Sequence, residues 1–171
     1  MPSAQTVFET ERLLARTWDA ADASAYFEIC SDPLVMQHIG PGVPWNRGQV
    51  DEFIERHQDY QDRFGFCCWA LVEKKSNELI GFCGMVPQDD NTFPEIGWRL
   101  AQKTWGQGFA TEAAQGVVDY ATGQLKIKRL FAIAQPGNDA SINIMKKLGM
   151  QFTENTSKND QPVVRYDLIL D

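Results

Sequence analysis

The chain is sparing with the residues that most often announce a reactive centre. Its 171 residues include two histidines, His38 and His57, and four cysteines, none of them in a Cys-x-x-Cys arrangement. Neither a metal-ligand spacing nor a redox pair can be read from them. Cys67 and Cys68 are adjacent and Cys30 and Cys83 sit in apolar surroundings, so free core thiols are expected and no metal. His57 shares a helical face with Phe53 and Ile54, which reads as a partly buried structural histidine. The longest apolar runs, Phe66 to Val72 and Leu130 to Ala134, are strand-length and far short of the ~20 residues of a membrane span. Glu9 and Glu11 stand near the start with no apolar stretch before a small-residue cleavage site, so no secretory signal is visible and a cytoplasmic location is expected. Basic residues number 16 against 23 acidic ones, a net charge of −7. Phosphate backbones are neutralised by clustered Lys and Arg, so general nucleic-acid binding is disfavoured, while the summed field could draw a cationic substrate.

What is present is enough for a globular core: 43% of the residues are hydrophobic and 23% charged, and one domain over 1–171 suffices. The most informative run is Trp105-Gly106-Gln107-Gly108-Phe109-Ala110-Thr111-Glu112-Ala113. Its two glycines can turn backbone N–H groups toward an anion, and the helix that follows adds the partial positive charge of its N-terminus. That helix is signalled by Ala110, Ala113, Ala114, Val117, Val118 and Ala121, one apolar stripe at helical spacing made of small residues that allow close approach to a sheet. A P-loop would need Lys-Ser/Thr after its last glycine, where Phe109-Ala110 stands. A dinucleotide loop would start at the strand end and place a third glycine where Thr111 stands.

Elsewhere the patterning predicts a first strand from Phe8 to Thr17, then a helix from Asp22 to Ile29 with Asp19 as N-cap. Ser31-Asp32-Pro33 and Gly40-Pro41-Gly42-Val43-Pro44 break the chain, and a polar helix runs from about Arg47 to Arg63. Strands follow at Phe66 to Glu73 and Leu79 to Pro87, joined by the turn Lys74 to Glu78, and at Phe93 to Leu100 after a turn at Asp89-Asp90-Asn91. Beyond the glycine loop come a strand at Arg129 to Gln135, a helix from Ala140 to Leu148, and two strands either side of Lys158-Asn159-Asp160.

The glycine run resembles the pyrophosphate-binding motif of the GNAT superfamily of acyl-CoA-dependent N-acetyltransferases, Gln/Arg-x-x-Gly-x-Gly/Ala, read here as Trp105-x-x-Gly108-x-Ala110. Trp replaces Gln/Arg, a form similar to the branch of the ribosomal-protein acetyltransferases RimJ and RimL. Further segments agree: Thr10-Glu11-Arg12-Leu13, Ser31-Asp32-Pro33 with Met36, Glu95-Ile96-Gly97-Trp98-Arg99-Leu100, and Asn138-Asp139-Ala140-Ser141 running to Lys147-Leu148-Gly149-Met150. The resemblance spans most of the chain. It implies an α/β fold with a mixed central sheet of about six to seven strands, two of them splayed, flanked by about four helices. It implies acetyl-CoA as co-substrate, no metal, and a primary amine as acceptor.

Residue by residue, the resemblance places the cofactor against Trp98, Arg99, Leu100, Trp105, Gly106, Gln107, Gly108, Phe109, Ala110, Thr111, Asn138 and Asn143. The pantetheine arm would lie between the strand Glu95 to Leu100 and the strand Leu130 to Gln135. Glu95 is the candidate base and Ser141 a candidate proton donor to the leaving sulfur, because Met145 stands where many relatives carry Tyr. Asn138 would also cap its helix. His38 and Trp45 fall in the acceptor wall. Lys126-Ile127-Lys128-Arg129 reads first as a solvated strand edge and second as a contact for the adenosine phosphates. The resemblance to RimJ and RimL points to a protein N-terminal α-amine, with a polyamine, amino acid or antibiotic amine as alternatives, and to a homodimer. A catalytically silent CoA-binding module, and a nucleotide-binding protein of another fold, are the readings of other classes.

Overall fold

The segment expected as one strand from Phe8 to Thr17 is a hairpin. Strand β1, Thr6–Glu9, turns back into β2, Leu13–Arg16. The turn is fixed from outside, by a carboxylate about a hundred residues away in sequence: Glu112 Oε1 accepts from Thr10 Oγ1 at 2.6 Å and from the Arg12 N–H at 2.8 Å. No local periodicity could reveal that break. A computed structural model describes residues 3–89 and 93–171 of the chain.

Asp19 caps a single 3₁₀ turn, Ala20–Asp22, through a reciprocal pair with Asp22, and helix α1 follows over Ala23–Cys30. Asp32 accepts from the Leu34 N–H and Pro33 opens the one-turn helix α2, Pro33–Met36. Asn46 and Gln49 form the capping box of α3, Arg47–Phe64, which ends at Gly65 and buries Val50, Phe53, Ile54 and His57. Strands β3, Cys68–Glu73, and β4, Glu78–Val86, are nearly continuous apolar runs, and both are buried. Strand β5 covers Glu95–Leu100. The expected turn at Asp89-Asp90-Asn91 lies, from Asp90 on, outside the described residues.

Helix α4, Phe109–Gly123, buries Ala113, Ala114, Val117, Val118 and Ala121 as its stripe predicts, and packs on β4 and β5. Strand β6, Arg129–Ala134, and helix α5, Asp139–Lys147, come next. Strands β7, Gln151–Lys158, and β8, Gln161–Ile169, are joined by Asn159-Asp160, whose φ values of 49° and 62° suit a two-residue hairpin turn. Among the described residues eight strands form one sheet in the order β1-β2-β3-β4-β5-β6-β8-β7, with α1 to α5 as its five helices. The excess over the expected count comes from the first hairpin and the one-turn α2. Among the described residues no helix is long and apolar enough to cross a membrane.

Every neighbouring pair in the sheet is antiparallel except β5 and β6, which run parallel and share a single bridge, Glu95 with Phe131. Beyond that bridge the two strands diverge, so the sheet carries a V with its apex at Glu95. Side chains alternate along β5: Ile96, Trp98 and Leu100 point one way, and Glu95, Gly97 and Arg99 the other.

Candidate active site

Gly106 and Gly108 have φ of 74° and 79°, the left-handed region that glycine enters without strain. A Cβ on Gly106 would meet no protein atom within 4 Å, so that side of the loop is open. Gly108 is the N-cap of α4 and supplies no side-chain acceptor, which leaves the first N–H groups of the helix free for an anion. The loop is braced by Arg12, which the segment Thr10-Glu11-Arg12-Leu13 contains but to which the resemblance assigned no role. Arg12 Nη1 donates to the Gln107 carbonyl at 2.9 Å, Arg12 Nε pairs with Glu112 at 2.7 Å, and the guanidinium lies 4.3 Å from the Phe109 ring centre. Burial alone would push the Glu112 carboxyl up, but hydrogen bonds from Thr10 and Arg12 hold it below its usual value. Trp105 donates from Nε1 to the Leu100 carbonyl at 3.0 Å, so its indole ties the loop to the end of β5.

From this loop a cleft of about 670 Å³ runs along β5 to α5. Trp98, Leu100, Trp105, Gly106, Gly108, Phe109, Ala110, Thr111, Asn138, Ser141, Asn143 and His38 all line it, so most of the expected residues come together. Trp98 Nε1 donates to Ser141 Oγ at 3.2 Å. Asn138 caps α5 by accepting from the Ser141 N–H. Met145 is 1% exposed, a core residue outside the cleft lining.

Other expected residues have partners or positions that the sequence did not announce. Gln107 lines no part of the cleft; its side chain folds back to the Lys103 carbonyl at 3.2 Å. Arg99 touches the cleft, but its guanidinium is buried against α1, bonded to Tyr26 Oη and Cys30 Sγ, because alternation along β5 sends it to the face opposite Trp98. Trp45 sits over that guanidinium, 4.4 Å from ring centre to Arg99 Cζ, and also lies outside the cleft lining. Glu95 is at the apex of the V, where Oε2 bonds Lys158 Nζ at 2.8 Å, a partner across 63 residues of sequence that no motif announced. Lys126 to Arg129 cannot reach the loop: the 15 residues of α4, about 22 Å of helix, separate them, and Arg129 is held by Asp167. His57 is structural as expected, with Nδ1 accepting from the Cys68 N–H at 3.0 Å. The four cysteines are free and buried.

A glycine loop opening a helix beside a splayed parallel strand pair is matched by known proteins. Residues 12–151 fit the model of the acetyltransferase (GNAT) domain. The chain belongs to the GNAT acetyltransferase family. It is 32% identical over 168 residues to the uncharacterized protein YkkB of Bacillus subtilis, covering 96% of each chain. Among solved structures it is similar to a GNAT-family acetyltransferase from Bacillus anthracis, with 26% identity, a TM-score of 0.82, and coverage of 94% of this chain and 96% of that one. The ribosomal alpha-N-protein acetyltransferase RimL in complex with coenzyme A shares the fold at 16% identity, with a TM-score of 0.83 over 98% and 99% of the two chains. Enzymes of this family use acetyl-CoA. The open loop, the uncapped helix start and the free strand edge of this GNAT enzyme fit its pyrophosphate and its amide-bearing arm.

Proposed function

We propose that this enzyme moves the acetyl group to a primary amine by direct attack on the thioester, and that the amine is an α-amine, in first place that of a protein N-terminus. Acetyl-CoA supplies the activated acetyl group. The observation that carries the proposal is the single bridge between β5 and β6, with the glycine loop at the far end of the same β5. Loop and helix N–H groups take the pyrophosphate, and the free edge of β5 offers backbone partners to the peptide-like arm. A backbone N–H near Trp98 is placed to receive the developing negative oxygen.

Glu95 takes the amine proton, directly or through water. With Oε2 committed to Lys158, one oxygen remains for that work. Such an arrangement suits an acceptor that needs little help. At pH 7 an α-amine with a pKa near ~8 is roughly one-tenth neutral, whereas a lysine near ~10.4 is neutral at below about one part in a thousand. Ser141 accepts from Trp98, so its own hydroxyl proton is left to donate to the departing sulfur. Small amines remain open as acceptors, because acceptor loops vary most within a fold. The test is a peptide with one free α-amine and one internal lysine, incubated with acetyl-CoA and fragmented by mass spectrometry. Acetyl on the α-amine is expected, and acetyl on the lysine alone would overturn the α-amine assignment.

A further inference from the structure

Arg99 is a buried cation without an anionic partner among the described residues. The residue is 9% exposed, and its guanidinium carbon lies 4.4 Å from the ring centre of Trp45 and 5.3 Å from that of Phe82. Nη1 donates to Tyr26 Oη at 2.9 Å and to Cys30 Sγ at 3.5 Å. Both partners are neutral, since burial pushes the phenol and the thiol up. Nε is buried with no hydrogen-bond partner among the described residues, and no carboxylate of those residues pairs with the guanidinium.

An isolated buried charge is among the most expensive features a fold can carry, and buried polar atoms almost always find partners. A methionine would fill the same space against Trp45, Phe82 and Tyr26 at far lower cost. A guanidinium kept there unpaired, on a residue that also lines the cleft, marks a place that an anion entering from the cleft would complete. The pyrophosphate is not that anion, because it belongs to the loop on the other side of β5. Arg99 shares its face of the strand with Glu95 and Gly97, and positions two apart along a strand are separated by about 6.6 Å. A group bound near Arg99 is thus within a few bonds of an amine presented beside Gly97.

We infer that Arg99 anchors a carboxylate of the acceptor, so that the molecule acetylated carries an α-amine and an acid a few bonds apart. This rests on the α-amine reading, with the acceptor on the face of β5 away from α4. Two sources offer that chemistry: a free amino acid, and a peptide N-terminus with an acidic side chain in its first residues. Arg99 is then the residue that sets acceptor specificity, and Trp45, stacked on the guanidinium, holds it in place.

The experiment compares acceptors matched but for the acid, a free amino acid against its carboxamide and a peptide beginning Asp-Ala against one beginning Asn-Ala, with each rate referred to the neutral-amine fraction measured for that acceptor, because amidation lowers the pKa of the neighbouring ammonium. In the wild type, kcat/KM is expected to favour the acid member of at least one pair by about tenfold or more. The pair that shows it identifies the source. Arg99→Met should bring that ratio close to one and Arg99→Lys should keep part of it, with CoA calorimetry showing that each variant is folded. The Lys variant carries the test alone if the Met variant does not fold. Turnover with equal rates for acid and amide, or a preference that survives in Arg99→Met, overturns the inference and leaves the α-amine reading intact. A readout without turnover separates the two further. The N-acetylated acid should raise the melting temperature of the CoA-loaded wild type more than its amide does, and this difference should vanish in Arg99→Met. Acid-specific stabilisation without turnover would sink the α-amine reading alone, and its absence would sink the anchor.

Discussion

Trp98 on β5 reaches across the cleft to Ser141 on α5, with Nε1 3.2 Å from Oγ. Because the serine oxygen accepts, its own proton is free to point into the cleft. Ser141→Ala should therefore lower kcat by ~10-fold to 10²-fold where chemistry limits turnover. Trp98→Phe should lower it less, since it releases the hydroxyl without removing it. In the double variant the loss should match that of Ser141→Ala, because the two residues act as one unit. Equal wild-type and Ser141→Ala rates would show that water protonates the sulfur or that the thiolate departs unaided.

Gly108 opens α4 at φ of 79°, and a Cβ there would lie 3.5 Å from Arg12 Nη2. The protein has room for the side chain, so the cost falls on the backbone, roughly 1–2 kcal/mol for an L-residue held in the left-handed region. Gly108→Val should fold and bind CoA more than ~10-fold more weakly, about 1.4 kcal/mol. Arg12→Met should weaken CoA as well, in the same calorimetric titration, because it unties the Gln107 carbonyl. Unchanged affinity in a folded Gly108→Val protein would remove the loop from the binding site.

Burial, with Arg56 and Arg99 nearby, lowers the pKa of His57 to about 3, against 6.5 for an unperturbed histidine. The depressed value means the folded chain refuses a proton that the unfolded chain accepts. Stability is therefore full above about 6.5 and is lost as pH falls toward 3, by up to about 1.4 kcal/mol per pH unit. His57→Gln, which keeps an acceptor for the Cys68 N–H, should be less stable at pH 7 and lose less stability on acidification. Urea titrations at stepped pH check this, and parallel slopes for the two proteins would contradict it.

Glu95→Gln should lower turnover at pH 7 by about tenfold, the factor set by the neutral fraction of an α-amine there, while CoA affinity stays near wild type. Its deficit should shrink as pH approaches the pKa of the acceptor amine, where no base is required. A pH–rate profile that tracks the wild type would demote the Glu95–Lys158 pair to a structural tie.

The sequence was most legible where one element carries its own signal. Ala113, Ala114, Val117 and Ala121 announce the buried face of α4, and Gly106 and Gly108 announce the loop, because period and backbone freedom are local properties. Long-range partnerships were not legible. Thr10 and Arg12 meet Glu112 across about a hundred residues, and that meeting splits the first strand into a hairpin. Glu95 was visible as an acid at a strand start, but its Lys158 partner was not. Arg99 lay inside a motif that resembles cofactor-contacting strands, and only strand alternation, resolved by the packing of α1, shows that its charge faces the other way.

The most direct measurement is the mass of a small panel of α-amine acceptors after incubation with the enzyme and acetyl-CoA, with released CoA thiol counted in parallel. The account predicts that an acceptor gains the mass of one acetyl group for each thiol released, and that Gly108→Val and Glu95→Gln both suppress it, the first through binding and the second through rate. Tight CoA binding with no acetylated amine at any pH would contradict it.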